Sequence, residues 1–237
     1  MKNKYYIATL SATVLTCAMA HAGDTLATAP TASSPTSAGF NPYLGVSGVY
    51  NELTLSVPGN VSDTEDTTGF NLVGGFDLSH GFSVDGSFEK TYGSFGALGG
   101  PSPDFSFTDV RLLLNYTHEL EQGFSLVGGI GYGYLGLDLA GFTVSSEGLL
   151  AEIGINYHSG QFFGGLQYNH LFSMHSSGLP FGGPGALPGE DVGAIEAFVG
   201  YQINENVAAT LSVETQVVGD SALEKDLGIA LGLLYSF

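Results

Sequence analysis

Five side chains carry most of the chemistry this sequence offers: Glu89, Arg111, Glu152, Glu196 and Glu214. Arg111 sits in DVRLLLNY, Glu152 in LLAEIGINY, Glu196 in AIEAFVGY and Glu214 in LSVETQV. In each stretch large apolar residues alternate with small, polar or charged ones. A period of two belongs to an extended chain whose successive side chains face opposite ways. One guanidinium among four carboxylates is expected to pair with one or two of them. The acids left over must be hydrated, protonated or bound to a cation. Two arrangements follow: a polar plug of ion pairs and hydrogen bonds, or a cation-preferring constriction with Arg111 as a movable gate.

Other candidates are weaker. His175-Ser176-Ser177, with Glu190 beyond, has the residue types of acyl transfer, which needs a histidine to take the serine proton and an acid to orient it. The set is expected to lie in a Gly/Pro-rich loop with LPFGGPGALPG and not on a strand, so no catalysis is expected from it. His80, His118, His158 and His170 are spread singly and suggest no metal site. Further acids fall in Gly-, Pro- and Ser-rich stretches: Asp63, Glu65, Asp66, Asp104, Glu190, Asp191, Asp220, Glu224 and Asp226. They read as a solvated surface; bridging by Ca²⁺ or Mg²⁺ to anionic lipid is the alternative, without any EF-hand spacing. No cofactor is expected.

Residues 1–22 have the parts of an export signal: Lys2 and Lys4, an apolar stretch from Tyr5 to Thr16, and Ala20-His21-Ala22 as a small-x-small cleavage site. Cleavage there removes Cys17, the single cysteine, so disulfide, zinc-thiolate and thiol-nucleophile chemistry are excluded from the remainder. Lys90, Arg111 and Lys225 then face 23 acids, a net charge of −20. That balance excludes a basic face for nucleic acid. Charged residues are only 12 % of the chain, and 36 of its 237 residues are glycine. No apolar run after the signal reaches the ~18 residues a spanning helix needs. A membrane-spanning form of this chain must therefore cross as strands.

The elements that would position these groups are strands. Residues 23–39, rich in Thr, Ser, Ala and Pro, read as a flexible lead-in. From 40 to 237 ten strands are expected: 40–53, 67–79, 81–92, 105–119, 123–137, 148–159, 161–171, 191–203, 207–218 and 227–237. An eight-strand count is the alternative. Tight joins at 79–81, 119–123, 159–160 and 204–206 alternate with longer ones at 54–66, 93–104, 138–147, 172–190 and 219–226. That rhythm, with an even count, is an antiparallel up-and-down β-barrel with transmembrane strands. Large residues beside the tight joins (Phe82, Tyr116, Phe124, Tyr157, Tyr201, Tyr235, Phe237) and beside the long ones (Phe70, Tyr92, Tyr134, Tyr168, Phe172) would form two aromatic rings, one per interface. The charged face must then be the lumen, with Arg111 its only base. Inward glycines such as Gly129, Gly133, Gly200, Gly228 and Gly232 would leave space for water or permit tight bending.

The final strand LGIALGLLYSF, the export signal and the turn rhythm resemble bacterial outer-membrane β-barrels of the small porin-like, OmpA-like group, over residues 40–237. The resemblance implies residence in the outer membrane, with its lipid and lipopolysaccharide as surroundings. It also implies that Tyr235 and Phe237 are the signal presented to the barrel-assembly machinery. Within the group two roles are expected: a small porin passing cationic or neutral solutes, or a non-conducting structural or adhesive barrel acting through its outer loops, 172–190 above all. A remoter resemblance is to lipid A deacylases, through the His-x-Ser arrangement at 175–177 and Glu190. Gly178 stands where that family has Asn, and the chain is expected not to be an enzyme.

Overall fold

The computed structural model describes residues 41–57, 61–94, 104–139, 142–177, 191–219 and 223–237. The expected signal and lead-in, 1–39, lie outside them. Ten strands follow in chain order: β1 Pro42–Val57, β2 Val61–Asp77, β3 Phe82–Ser94, β4 Asp104–Glu119, β5 Phe124–Leu139, β6 Phe142–Ser159, β7 Phe162–Ser177, β8 Val192–Gln202, β9 Val207–Val218 and β10 Leu223–Ser236. Every neighbour pairs antiparallel, and β1 pairs with β10, so the sheet closes into a barrel. The count is ten, not eight. Closure satisfies the backbone of every strand within the protein, the condition for crossing hydrocarbon.

At one rim the chain turns tightly, twice by the same device. In Leu78-Ser79-His80-Gly81-Phe82 and in Leu120-Glu121-Gln122-Gly123-Phe124, the leucine N–H donates to the phenylalanine carbonyl at 2.7 and 2.8 Å. His80 and Gln122 adopt φ of 65° and 64°, and the glycines that follow adopt 82° and 83°. A Cβ on Gly123 would lie 2.2 Å from the His158 carbonyl, so the turn needs glycine for space as well as for φ. Both ends of the barrel meet at this rim, where the Phe237 N–H donates to the Pro42 carbonyl at 3.0 Å.

The opposite rim departs from expectation. Strands run through 54–57 and 61–66, 138–139 and 142–147, and 223–226, all within what read as loops at 54–66, 138–147 and 219–226. Their Thr, Ser and Asp side chains bond across the strands instead of leaving them. Thr54 and Thr64 hydroxyls meet at 2.6 Å, and Thr143 donates to Asp138 at 2.6 Å.

Outside, the barrel is apolar. Ile153 and Leu231 are each 65 % exposed, and Ile130 and Leu112 each 55 %. A soluble monomer rarely exposes such a continuous apolar surface. Aromatics rim it at the tight turns in cross-strand pairs: Phe82–Tyr116, Phe124–Tyr157 and Phe162–Tyr201, with ring centroids 5.0, 4.7 and 5.0 Å apart. Phe70, Tyr92 and Phe172 are exposed toward the other rim. On β3 the two rims are marked by Phe82 and Tyr92. At roughly 2.3–2.6 Å of climb per residue for a strand tilted ~45°, that separation is roughly 25 Å, the height of an outer-membrane apolar band.

Inside, the lumen is filled. One apolar cluster rises from the tight-turn rim and includes Tyr43, Phe163 and Leu234, reaching Leu150 and Leu171. Leu53, Phe105, Phe107 and Leu137 form a second toward the opposite rim. The inward glycines are seats for neighbouring side chains, not water-filled gaps. A Cβ on Gly200 would lie 2.0–2.5 Å from the Phe163 ring; on Gly129, 1.8 Å from Asn115 Oδ1; on Gly232, 2.2 Å from Ser47 Oγ.

Candidate functional site

Between the two apolar clusters lies a belt of charge. Arg111, inward on β4, grips Asp109 two residues before it, Nη2 to Oδ2 at 2.6 Å and Nε to Oδ2 at 3.1 Å. The same Nη2 reaches across to Glu214 Oε2 on β9 at 2.9 Å. Glu214 Oε1 lies 3.2 Å from Lys225 Nζ on β10, and Lys225 lies 3.4 Å from Glu89 on β3. Asn51 on β1 donates to Glu89 at 2.7 Å. The result is one continuous brace, Asp109–Arg111–Glu214–Lys225–Glu89–Asn51, tying five strands together through the lumen. In low dielectric such pairs are strong only when each charge stays matched.

Lys225 is the residue that sequence reasoning missed, and Arg111 is therefore not the only inward base. Strict alternation back from Ala230 and Gly228 would turn Asp226 inward and Lys225 outward. A β-bulge reverses this. Glu52 pairs with Leu227 and Leu53 with Lys225, leaving Asp226 without a partner in the register. Lys225 is buried and Asp226 exposed, its carboxylate accepting from the Thr54 hydroxyl. Two further inward acids belong to the lumen. Asp109 was legible on the polar face of β4. Asp85 accepts from the Tyr43 hydroxyl (2.6 Å), the Ser83 hydroxyl (2.6 Å) and Asn115 Nδ2 (2.8 Å).

Glu152 and Glu196 also point inward, outside the brace. Glu152 on β6 is 6 % exposed and faces Asn169 across the β6–β7 ladder. Glu196 on β8 is 1 % exposed and registers with Gln167 on β7 and Glu214 on β9. The field of Arg111 acts on both carboxylates. No three His, Cys, Asp or Glu among the described residues are arranged to hold a metal ion.

The remaining sequence candidates sit elsewhere. His175-Ser176-Ser177 ends strand β7 and is not in a loop as expected, because residues 175–177 pair with Glu147, Ser146 and Ser145 of β6. Glu190 and Gly178 lie outside the described residues. Tyr235 and Phe237 project outward at the tight-turn rim, ring centroids 5.0 Å apart at 79°, with Phe237 71 % exposed. Lys90, the outward base, lies 3.2 Å from the Thr108 hydroxyl and 3.7 Å from Asp138.

Neither a protein-family model nor a curated protein sequence matches this chain. Solved structures do. An outer-membrane channel from Pseudomonas putida F1 superposes with a TM-score of 0.53 at 8 % identity, over 85 % of this chain and 97 % of that one. The chain has the fold of an outer-membrane β-barrel. Fainter likenesses are to the outer membrane protease OmpT of Escherichia coli (TM-score 0.48, 11 % identity, 86 % of this chain and 100 % of that one) and to Neisserial surface protein A (0.41, 11 %, 83 % and 97 %). At such identities the likeness extends to the fold and no further.

Proposed function

We propose that this protein resides in the bacterial outer membrane as a barrel braced shut from within, serving as a structural or surface-interaction element and not as an open porin. The observation that carries this reading is the brace Asp109–Arg111–Glu214–Lys225–Glu89. It lies between two apolar clusters, with side chains seated over the inward glycines. Toward the tight-turn rim the lumen is occupied by Tyr43, Phe163 and Leu234, with Asp85 bonded to Tyr43 among them, and toward the other rim by Leu53, Phe105, Phe107 and Leu137. The apolar outer belt and its aromatic rims suit lipid and lipopolysaccharide as the surroundings. On this reading residues 1–22 direct export, and the protein recovered from membranes begins at Gly23. Tyr235 and Phe237 then serve the barrel-assembly machinery.

Planar-bilayer recording tests the closed lumen. The wild type is expected to add no discrete conductance to bare lipid, and regular channel steps from it would overturn the reading. A second reading, a gated cation conduit, draws on one feature: the brace holds both inward bases of the described residues, so releasing them leaves an acid-lined lumen. Under it, Arg111→Ala combined with Lys225→Ala yields cation-preferring steps, and adding Glu196→Gln weakens the preference. A silent double variant that still folds would discard it.

A further inference from the structure

One hairpin of the barrel is not paired to its end. The β9–β10 ladder stops at Glu214 and Gly228, although β9 runs on to Val218 and β10 begins at Leu223. The other hairpins at this rim pair to the end of at least one strand: Val57 with Val61, Ser94 with Asp104, Leu139 with Phe142 and Leu171 with Val192. On their far sides both strands stay laddered, β9 to β8 as far as Val218 and β10 to β1 as far as Leu223. A bulge on each side accounts for the seam. Val217 is passed over in the β8–β9 register and Asp226 in the β1–β10 register, and each extra residue bends its strand.

Side chains close what the ladder leaves open. Thr215 donates to the Asp226 carbonyl at 2.8 Å, and the Lys225 N–H donates to Gln216 Oε1 at 3.3 Å. From the lumen, Lys225 Nζ on β10 meets Glu214 Oε1 on β9 at 3.2 Å. Lys225 therefore serves the brace and ties the seam at once. A side-chain bond is lost when one rotamer turns, whereas a ladder opens only when successive bonds break together. The ladder stops seven residues above the Val207–Tyr235 pair of the tight-turn rim. At roughly 2.3–2.6 Å of climb per residue, that is roughly two-thirds of the way up the apolar band. The seam faces the remaining third, where Val217 and Val218 are exposed. Hydrocarbon supplies no water to replace a missing ladder bond, so the closure depends on these side chains.

We infer that the β9–β10 seam above Glu214 and Gly228 is a lateral gate in the barrel wall, latched from the lumen by the Lys225–Glu214 ion pair. With the latch made, the ion pair and the two neutral bonds hold the strands together. With it broken, β9 moves with β8 and β10 with β1, each carried by its intact ladder. Parting uncovers Leu53, the register partner of Lys225, which is fully buried in the apolar cluster of this rim. The surface so exposed is apolar and turns toward lipid, not along the barrel axis. Such a gate presupposes a barrel seated in a bilayer and is indifferent to conduction through the lumen.

The test is hydrogen exchange, read by mass spectrometry on the full chain in lipid nanodiscs. Spin labels at Val217→Cys and Leu227→Cys, in a Cys17→Ser background, give the distance across the seam in parallel. Amides of 215–218 and 223–227 are expected to exchange about tenfold faster than those of 134–139 and 142–147, a hairpin of the same rim paired to its end. Lys225→Met/Glu89→Leu removes the latch without stranding Glu89. It should speed the seam about tenfold more, leave 134–139 and 142–147 unchanged, and add a longer-distance population between the labels. Thr215→Val, outside the charge network, should shift both readouts the same way by about threefold, and it decides the matter if the double variant does not fold. Seam exchange as slow as that of the paired hairpin, acceleration spread evenly over the barrel, or an unchanged label distance would each overturn the gate. A chain that fails to enter the nanodiscs would overturn the membrane placement and the gate together.

Discussion

Arg111 and Lys225 share Glu214, so each side of the brace depends on the other. Replacing Lys225 by Met strands Glu89 and removes one partner of Glu214 in a water-poor interior. Loss of one member of a buried pair costs about 3–5 kcal/mol, whereas replacing both members with apolar groups is often neutral. Urea unfolding in micelles should therefore show Lys225→Met destabilised by about that amount, with Lys225→Met/Glu89→Leu recovering most of it. Equal losses in the two would mean that the contact contributes nothing. Packing makes a separate demand at Gly200, where the Phe163 ring occupies the place of a side chain. Gly200→Val must displace that ring and should cost about 1–3 kcal/mol as overpacking, read from the urea midpoint.

The two copies of the Leu-x-x-Gly-Phe turn set hairpin geometry at the tight rim, and their residues carry unequal demands. At Gly123 both the positive φ and the nearby His158 carbonyl oppose a side chain. At His80 only φ does, and a non-glycine residue already occupies it. Gly123→Ala should lower stability by more than about 1 kcal/mol. His80→Gly should change it little, because relief of left-handed strain is offset by added freedom in the unfolded chain. Matched urea titrations would show the contrast, and its reversal would mean that the turn is not under this constraint. The bulge in β10 is the other decisive element. One extra residue exchanges an acid for a base in the lumen, which suits an interior otherwise rich in carboxylates.

For the molecule as a whole, the outward apolar belt and the closed backbone predict a barrel that resists SDS until heated. Unboiled and boiled samples should migrate differently on a gel, and identical migration would count against a closed barrel in hydrocarbon. Removal of Phe237 should block assembly in cells while leaving detergent refolding intact, because its ring projects outward at the rim and fills no part of the lumen. Failure of both would assign the residue to stability and not to targeting.

What the residue order determined by itself was facing. Leu112, Leu114 and Tyr116 turn out while Leu113 and Asn115 turn in, and Leu231, Leu233 and Tyr235 turn out while Ala230 and Leu234 turn in. Consecutive residues alone dictate such alternation, and with the turn residues they also gave the strand count, the aromatic rims and the inward acids. Partnership belongs to the tertiary structure. Arg111 and Glu214 are 103 residues apart and meet only because closure sets β4 and β9 across one lumen. Lys225 joins them only because the register slips beside it. Within the expected loops, 54–57, 61–66, 138–139 and 142–147 are strand because polar residues can bond across a ladder as well as to water, and composition does not distinguish the two. The filling of the glycine gaps likewise depends on which neighbour leans over each one, and that is decided when the sheet closes.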